Sequence, residues 1–232
     1  MKVFALDTSG ENCSCCVLED AKVIADFNIS TGTTHSETLL PMIDEMFKFS
    51  HLSLEEMDVF SCSVGPGSFT GLRIGISTIK GFALSLNKPV IGVSTLDALA
   101  QNVSPFDGIV CSVLDAKNDN VYAGIYMCKS GILNRQGDYQ TGTIDELIST
   151  LQTSSENIIF VGDGSISFQD KFKSSLKERA HFAPVHLTHQ LSTSVAKVAF
   201  DLALNGKMTT ADSLMPMYLK KSQAEREAES HE

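Results

Sequence analysis

Three short segments of this 232-residue chain carry residue types that could contact a phosphate. Asp7-Thr8-Ser9-Gly10 closes an apolar run, Lys2–Ser9, that reads as a strand. A carboxylate and two hydroxyls beyond the carboxyl end of a strand suit a ligand site in an open sheet. They suit equally an ordinary turn whose Asp and Ser bond their own backbone. Gly65-Pro66-Gly67-Ser68-Phe69-Thr70-Gly71-Leu72-Arg73 is a glycine-rich turn feeding a helix, with Ser68 as a good N-cap. Free N–H groups at such a helix start attract anions. The spacing matches neither the P-loop nor the dinucleotide fingerprint, so it specifies a tight strand-to-helix turn better than a phosphate site. Gly162-Asp163-Gly164 follows another strand and either cradles a nucleotide or turns the chain.

Metal and thiol chemistry find less support. The histidines are His35, His51, His181, His186, His189 and His231, and none forms H-E-x-x-H or a close pair on a helix. Cys13 and Cys16 make one C-x-x-C with no second. On a strand their side chains point to opposite faces, so buried, reduced cysteines are expected. We therefore expect no stoichiometric metal and no bound cofactor, with ATP or ADP confined to an assembly.

The elements that must position these residues follow from hydrophobic period. CSCCVLED and KVIADFNIS read as antiparallel strands after the first. Leu39, Met42, Ile43, Met46 and Phe47 recur at three and four and predict a helix over 35–49. MDVFSCSVG is a strand, 68–86 a helix, PVIGVS a strand and 95–101 a short helix. This β-β-β-α-β-α-β-α order implies a mixed sheet flanked by helices, the ribonuclease-H-like core of the actin, sugar-kinase and Hsp70 group. In that group the turn at Asp7 contacts phosphate. The second half shows strands at GIVCSVLDA, NVYAGIYMC and NIIFVGDG and helices at 143–151, 168–176 and 192–204. Thr143 and Glu146 make a capping box, and Gly206 takes the C-terminal glycine position. We expect two α/β subdomains, 1–103 and 104–220, and a charged, disordered tail over 221–232. A second, degenerate copy of the first core is plausible and not visible in the sequence.

Hydrophobic residues make up 43 % of the chain and the net charge is −10. The charge argues against a free-standing nucleic-acid binder, which needs a basic surface. The N-terminus, MKVFALDTSG, lacks a leader's apolar stretch, and no apolar run is long enough to span a membrane; a cytoplasmic protein is expected.

Gly71 and Gly75 lie inside the helix over 68–86, where each costs about 1 kcal/mol relative to Ala. Close approach of a partner's helix is the expected reason, with Thr78 and Phe82 continuing the face and Met42 and Met46 extending it. Packing against the chain's own sheet is the alternative.

ALDTS, HSETLLPMI, VGPGSFTGLRIG, VGDG and PMYLKKSQAE, in this order, make the chain resemble the TsaB family. The likeness spans nearly the whole sequence and is densest over 1–100. It implies an actin-like fold and a role, with the TsaD and TsaE proteins, in making threonylcarbamoyl-adenosine beside the tRNA anticodon. It further implies a heterodimer with TsaD, a homodimer in isolation, and contact with tRNA only through partners. TsaD carries a metal-binding His pair where this chain has Thr95 and Leu99; neither replaces an imidazole. The resemblance is thus to a catalytically silent relative of the transferase. An ATP-using kinase or the transferase itself is the alternative, and a metallopeptidase the least supported reading.

Overall fold

The computed structural model describes residues 1–219; the tail expected to be disordered, 221–232, lies outside the described residues. β1 (Lys2–Asp7) is almost wholly buried and takes the centre of a five-stranded sheet. β2 (Cys13–Glu19) and β3 (Lys22–Ile29) fold back antiparallel on one side. After α1 (His35–Ser50) come β4 (Val59–Gly65), α2 (Phe69–Leu86) and β5 (Val90–Ser94), with β4 parallel to both β1 and β5. Strands covered on both faces tend to read as apolar runs, as Val3–Leu6 of β1 does, while β4 buries Ser61 and Ser63 as well. α3 (Thr95–Asn102) leads out of this sheet.

The second half repeats the plan. β6 (Gly108–Asp115), β7 (Asn120–Lys129) and β8 (Ile132–Arg135) form the meander. β9 (Gln140–Thr143) pairs with β7, and α4 (Ile144–Gln152) follows. β10 (Ile158–Val161), α5 (Asp163–Ser167), α6 (Gln169–Leu176) and β11 (Ala180–Phe182) complete it. The orders β3-β2-β1-β4-β5 and β8-β7-β6-β10-β11 match position for position, antiparallel then parallel. The internal copy is real.

Chain connectivity and packing part company at α7 (Ser192–Leu204). It returns to the first sheet and lays Val195, Ala196 and Ala199 on Val3, Ala5 and Val93. α3 crosses the other way and buries Leu96 and Leu99 against Val110 and Val161 of the second sheet. The two helices touch each other, so the order of layers is α1 and α2, first sheet, α3 and α7, second sheet, α4 and α6. The sheets divide near residue 103, but each borrows a helix from the other segment, so neither segment is packed by itself. The opposite face of the first sheet is a cluster of aromatic rings, Phe4, Phe47, Phe60 and Phe82, with centroids 5.4–6.3 Å apart. Such tilted pairs add to simple burial. Cys13 and Cys15 face this layer and Cys16 faces α7, so the C-x-x-C points both ways. Burial pushes the Cys13 thiol up to about 11 and the Cys15 thiol to about 12, which leaves both inert at neutral pH.

Helix ends follow local chemistry. Thr143 Oγ1 accepts from the Glu146 N–H at 3.3 Å while Glu146 accepts from the Thr143 N–H at 2.8 Å, the expected capping box. Gly206, at φ +69°, ends α7. No helix of the described residues is long and apolar enough to cross a membrane.

Candidate functional site

The three glycine-bearing turns do converge, at the crevice beyond the carboxyl ends of β1, β4, β6 and β10. What they do there differs from a phosphate cradle. Asp7 is fully buried. Its Oδ1 accepts from the Ser9 N–H at 2.8 Å and the Ser9 hydroxyl at 2.7 Å, and its Oδ2 accepts from the Ser63 hydroxyl. Thr8 donates its hydroxyl to the Gly71 carbonyl at 2.7 Å. The Ser68 N–H donates to the Ser9 carbonyl at 2.7 Å, and Ser68 Oγ caps α2 by accepting from the Gly71 N–H. Every polar group offered for phosphate by the first turn is thereby bonded within the protein.

The glycines serve close packing. A Cβ at Gly67 would collide with the Ser9 carbonyl, and one at Gly65 would stand 2.5 Å from the Met217 carbonyl oxygen. Gly162, at φ +103°, lies on the Val113 carbonyl; a Cβ at Gly164 would stand 2.7 Å from Val113 Cγ1. Asp163 accepts from the Asp115 N–H at 3.1 Å and the Gly164 N–H at 2.8 Å.

Across the crevice runs the segment 188–192, for which the sequence held no signal. The Gly162 N–H donates to the Thr188 carbonyl, and the Ser192 N–H donates to Ser14 Oγ at 3.0 Å. Gln190 is 3 % exposed and rests on Gly10, where a Cβ would stand 2.7 Å from its Cδ. The space left between Gly10, Asp163 and Gln190 is about 210 Å³, below the roughly 300–1,000 Å³ of small-molecule sites. As folded, the side chains of Asp7, Thr8, Ser9 and Ser68 are bonded within the protein, and Gly65, Gly67, Gly162 and Gly164 pack closely on Met217, Ser9 and Val113. Ser68 also edges a separate groove with Thr34, Ser36, Thr70 and Glu11. His35 stands in that groove and donates Nε2–H to the Gly10 carbonyl at 2.9 Å.

Burial raises the Asp7 carboxyl above its ordinary range, and the Ser63 and Ser9 hydrogen bonds only partly oppose this. Between the ordinary carboxylate value of about 4 and the raised one, the folded state holds a proton that the unfolded state has lost, so Asp7's contribution to stability falls as pH rises through that window. An Asp7→Asn protein, which cannot titrate there, should lose less stability relative to the parent at pH 8 than at pH 4. Denaturant unfolding of both proteins across this range measures it. A penalty growing with pH would show that the fold favours the ionised carboxylate.

The expected interface residues need correction. Gly71 and Gly75 face β1: a Cβ at Gly71 would strike the Thr8 carbonyl and one at Gly75 would stand 2.9 Å from Leu6 Cδ1. Met42 and Met46 are 4 % and 0 % exposed and belong to the chain's own core. Phe82 packs on Phe4 and Phe60, and Thr78 donates to the Ile74 carbonyl at 2.9 Å within its helix. The alternative weighed for the glycine stripe is the one the structure carries: it lets α2 lie close on its own sheet.

Thr95 and Leu99 are both 0 % exposed, with Leu99 Cδ1 near Gly162. Among the described residues no group of three or more His, Cys, Asp or Glu side chains could hold a metal ion.

A family model described as "TsaD: tRNA N6-adenosine threonylcarbamoyltransferase" matches residues 29–228. A protein of Buchnera aphidicola subsp. Schizaphis graminum named "tRNA threonylcarbamoyladenosine biosynthesis protein TsaB" is 30 % identical over 165 residues, covering 70 % of this chain and 78 % of the relative. The chain belongs to the TsaB family, within the wider group described by the TsaD model. A solved structure from Pseudomonas aeruginosa, described as an uncharacterized protein with similarity to peptidase YEAZ, superposes with TM-score 0.81 at 26 % identity over 94 % of this chain and 99 % of that one. A ROK hexokinase of Thermus thermophilus superposes with TM-score 0.51 at 10 % identity, covering 89 % of this chain and all of the other. That likeness shows the fold alone, and with the twice-repeated sheet order it makes the architecture actin-like. In this TsaB-family chain the segment carrying His189 and Gln190 runs across the crevice between the turns of the two sheets.

Proposed function

We propose that this chain is a non-catalytic subunit of the machinery that makes threonylcarbamoyladenosine in tRNA, acting in the cytoplasm as partner and activator of a TsaD-type transferase together with TsaE. The observation that carries the reading is the burial of Thr95 and Leu99. These are the positions where the family resemblance puts the transferase's metal-binding histidines, and side chains enclosed in the core can offer nothing to a metal or substrate. The crevice crossed by residues 188–192 supports the same reading and leaves ATP or ADP to the other subunits. A net charge of −10 leaves the tRNA contacts to them as well.

Pairing then uses the outer face of α1 and α2. Leu40 and Leu84 are 56 % and 59 % exposed there, and a Cβ at Gly81 would stand in open space. In isolation the same face pairs two copies of the chain. The test is reconstitution of tRNA modification from purified transferase and TsaE partner, with and without this chain. Omission should reduce product to background, and the chain alone should form none. Modification by the chain alone, or full activity without it, would overturn the proposal.

A further inference from the structure

A cavity of about 610 Å³ shares no lining residue with the crevice. It lies between α3, α7 and the β7–β8 hairpin. At its base stands Asp97, half-buried. The Tyr126 hydroxyl donates to Asp97 Oδ1 at 2.7 Å and the Tyr139 hydroxyl to Oδ2 at 2.9 Å. Tyr126 is 3 % exposed and belongs to the core, and the half-buried Tyr139 packs against it. The carboxylate is held in one orientation with one lone pair used on each oxygen and one left on each. Among the described residues no lysine, arginine or histidine nitrogen lies within ion-pair distance of it.

The rest of the cavity is graded. Leu133, Val198 and Leu202, all half-buried, give an aliphatic wall. At the mouth Arg135 is exposed; its guanidinium lies 4.2 Å from the Tyr139 ring centre and donates Nε–H to the Gly137 carbonyl at 3.1 Å. Lys197 and Asp201 pair with each other and cancel. An anionic base, an apolar wall and a cationic mouth match one ligand class. We propose that this cavity binds a small ω-amino carboxylate, with its ammonium on Asp97, its alkyl chain along Leu133, Val198 and Leu202, and its carboxylate toward Arg135. A diamine would meet Arg135 with like charge, and a simple carboxylate would meet Asp97. The volume is that of an ordinary small-molecule site.

The probes are 5-aminopentanoate, n-pentylamine and pentanoate, titrated into the full ¹⁵N-labelled chain. The amino acid should move the amides of Gln101, Gly131, Leu133 and Asn205 saturably. The amine should bind about tenfold more weakly, and pentanoate should not bind. Asp97→Asn should abolish binding, and Arg135→Gln should reduce the amino acid to the level of the amine. If Asp97→Asn fails to fold by circular dichroism, the ranking of the three probes on the parent chain decides alone. Pentanoate matching the amino acid, or shifts absent from those amides, overturns the proposal. So does pentylamine matching it, which would make the cavity a receptor for a partner's lysine side chain.

Discussion

Gly75→Leu should leave little folded protein at moderate denaturant. The α-carbon of Gly75 faces the end of β1, where Thr8 and Leu6 are 2 % and 0 % exposed. Even a single added carbon would stand 2.9 Å from Leu6 Cδ1 and closer still to Thr8 Oγ1. Leucine adds three more, and no neighbour can retreat. Leu6 is enclosed by the rest of the core, and Thr8 is tied by its hydroxyl to the Gly71 carbonyl. Overpacking in a close-packed core usually costs about 1–3 kcal/mol. Here the helix must lift off the strand, and the loss should reach about 3 kcal/mol or more, a large part of a total that is typically about 5–15 kcal/mol. Gly71→Ala should act in the same direction: it adds one carbon where leucine adds four, but that carbon meets the Thr8 backbone carbonyl, which can move only with β1. Guanidinium unfolding followed by circular dichroism reads both. A Gly75→Leu protein as stable as its parent would mean that the helix does not lie on β1 as described.

That glycine pair shows where the sequence stopped being legible. Two small residues four apart on a helix announce that something comes close; they do not say what. A partner's helix and the chain's own strand ask for the same absence of Cβ, and only the position of β1 decides between them. Met42 and Met46 pose the same difficulty, since a thioether suits an adaptable surface and an irregular core alike. The elements themselves were readable wherever periodicity was long: α1, α2 and α7, and the strands buried on both faces. β8, β9 and β11 are short, four residues at most, and largely exposed, so no alternation marks them. The repeat of the fold was hidden because it lives in strand order and not in residue identity. The fate of the crevice was hidden because Gln190 sits far along the chain from Gly10, and a lone Gln before a helix carries no signal of what it will cover. Asp7, Thr8 and Ser9 were of the right types for a phosphate site, yet they bond to Ser63, to the Gly71 carbonyl and to one another.

The face of α2 opposite to Gly75 gives the second large effect, with the opposite balance. Gly81 and Leu84 lie on the solvent side, with open space where a Cβ at Gly81 would stand and Leu84 59 % exposed. In the isolated chain Gly81→Leu should be stabilising by about 0.5–1 kcal/mol, because a glycine in an exposed helix interior is replaced by a good helix former. Leu84→Glu should change stability by no more than about 0.5 kcal/mol, as surface substitutions usually do. On the proposed function both must nevertheless damage pairing. A leucine at position 81 holds off any helix that approaches over the bare backbone. A glutamate at 84 would be carried into an apolar contact without a partner, which costs far more than the contact it replaces. The double variant should therefore fold at least as well as the parent while its affinity for the transferase falls by about a hundredfold or more, near 2.7 kcal/mol. Sedimentation with and without the transferase, beside thermal unfolding and the tRNA-modification assay, separates the terms. Normal pairing by the stable double variant would exclude this face of α2 as the contact, and the exposed residues of α1 around Leu40 would have to carry it alone.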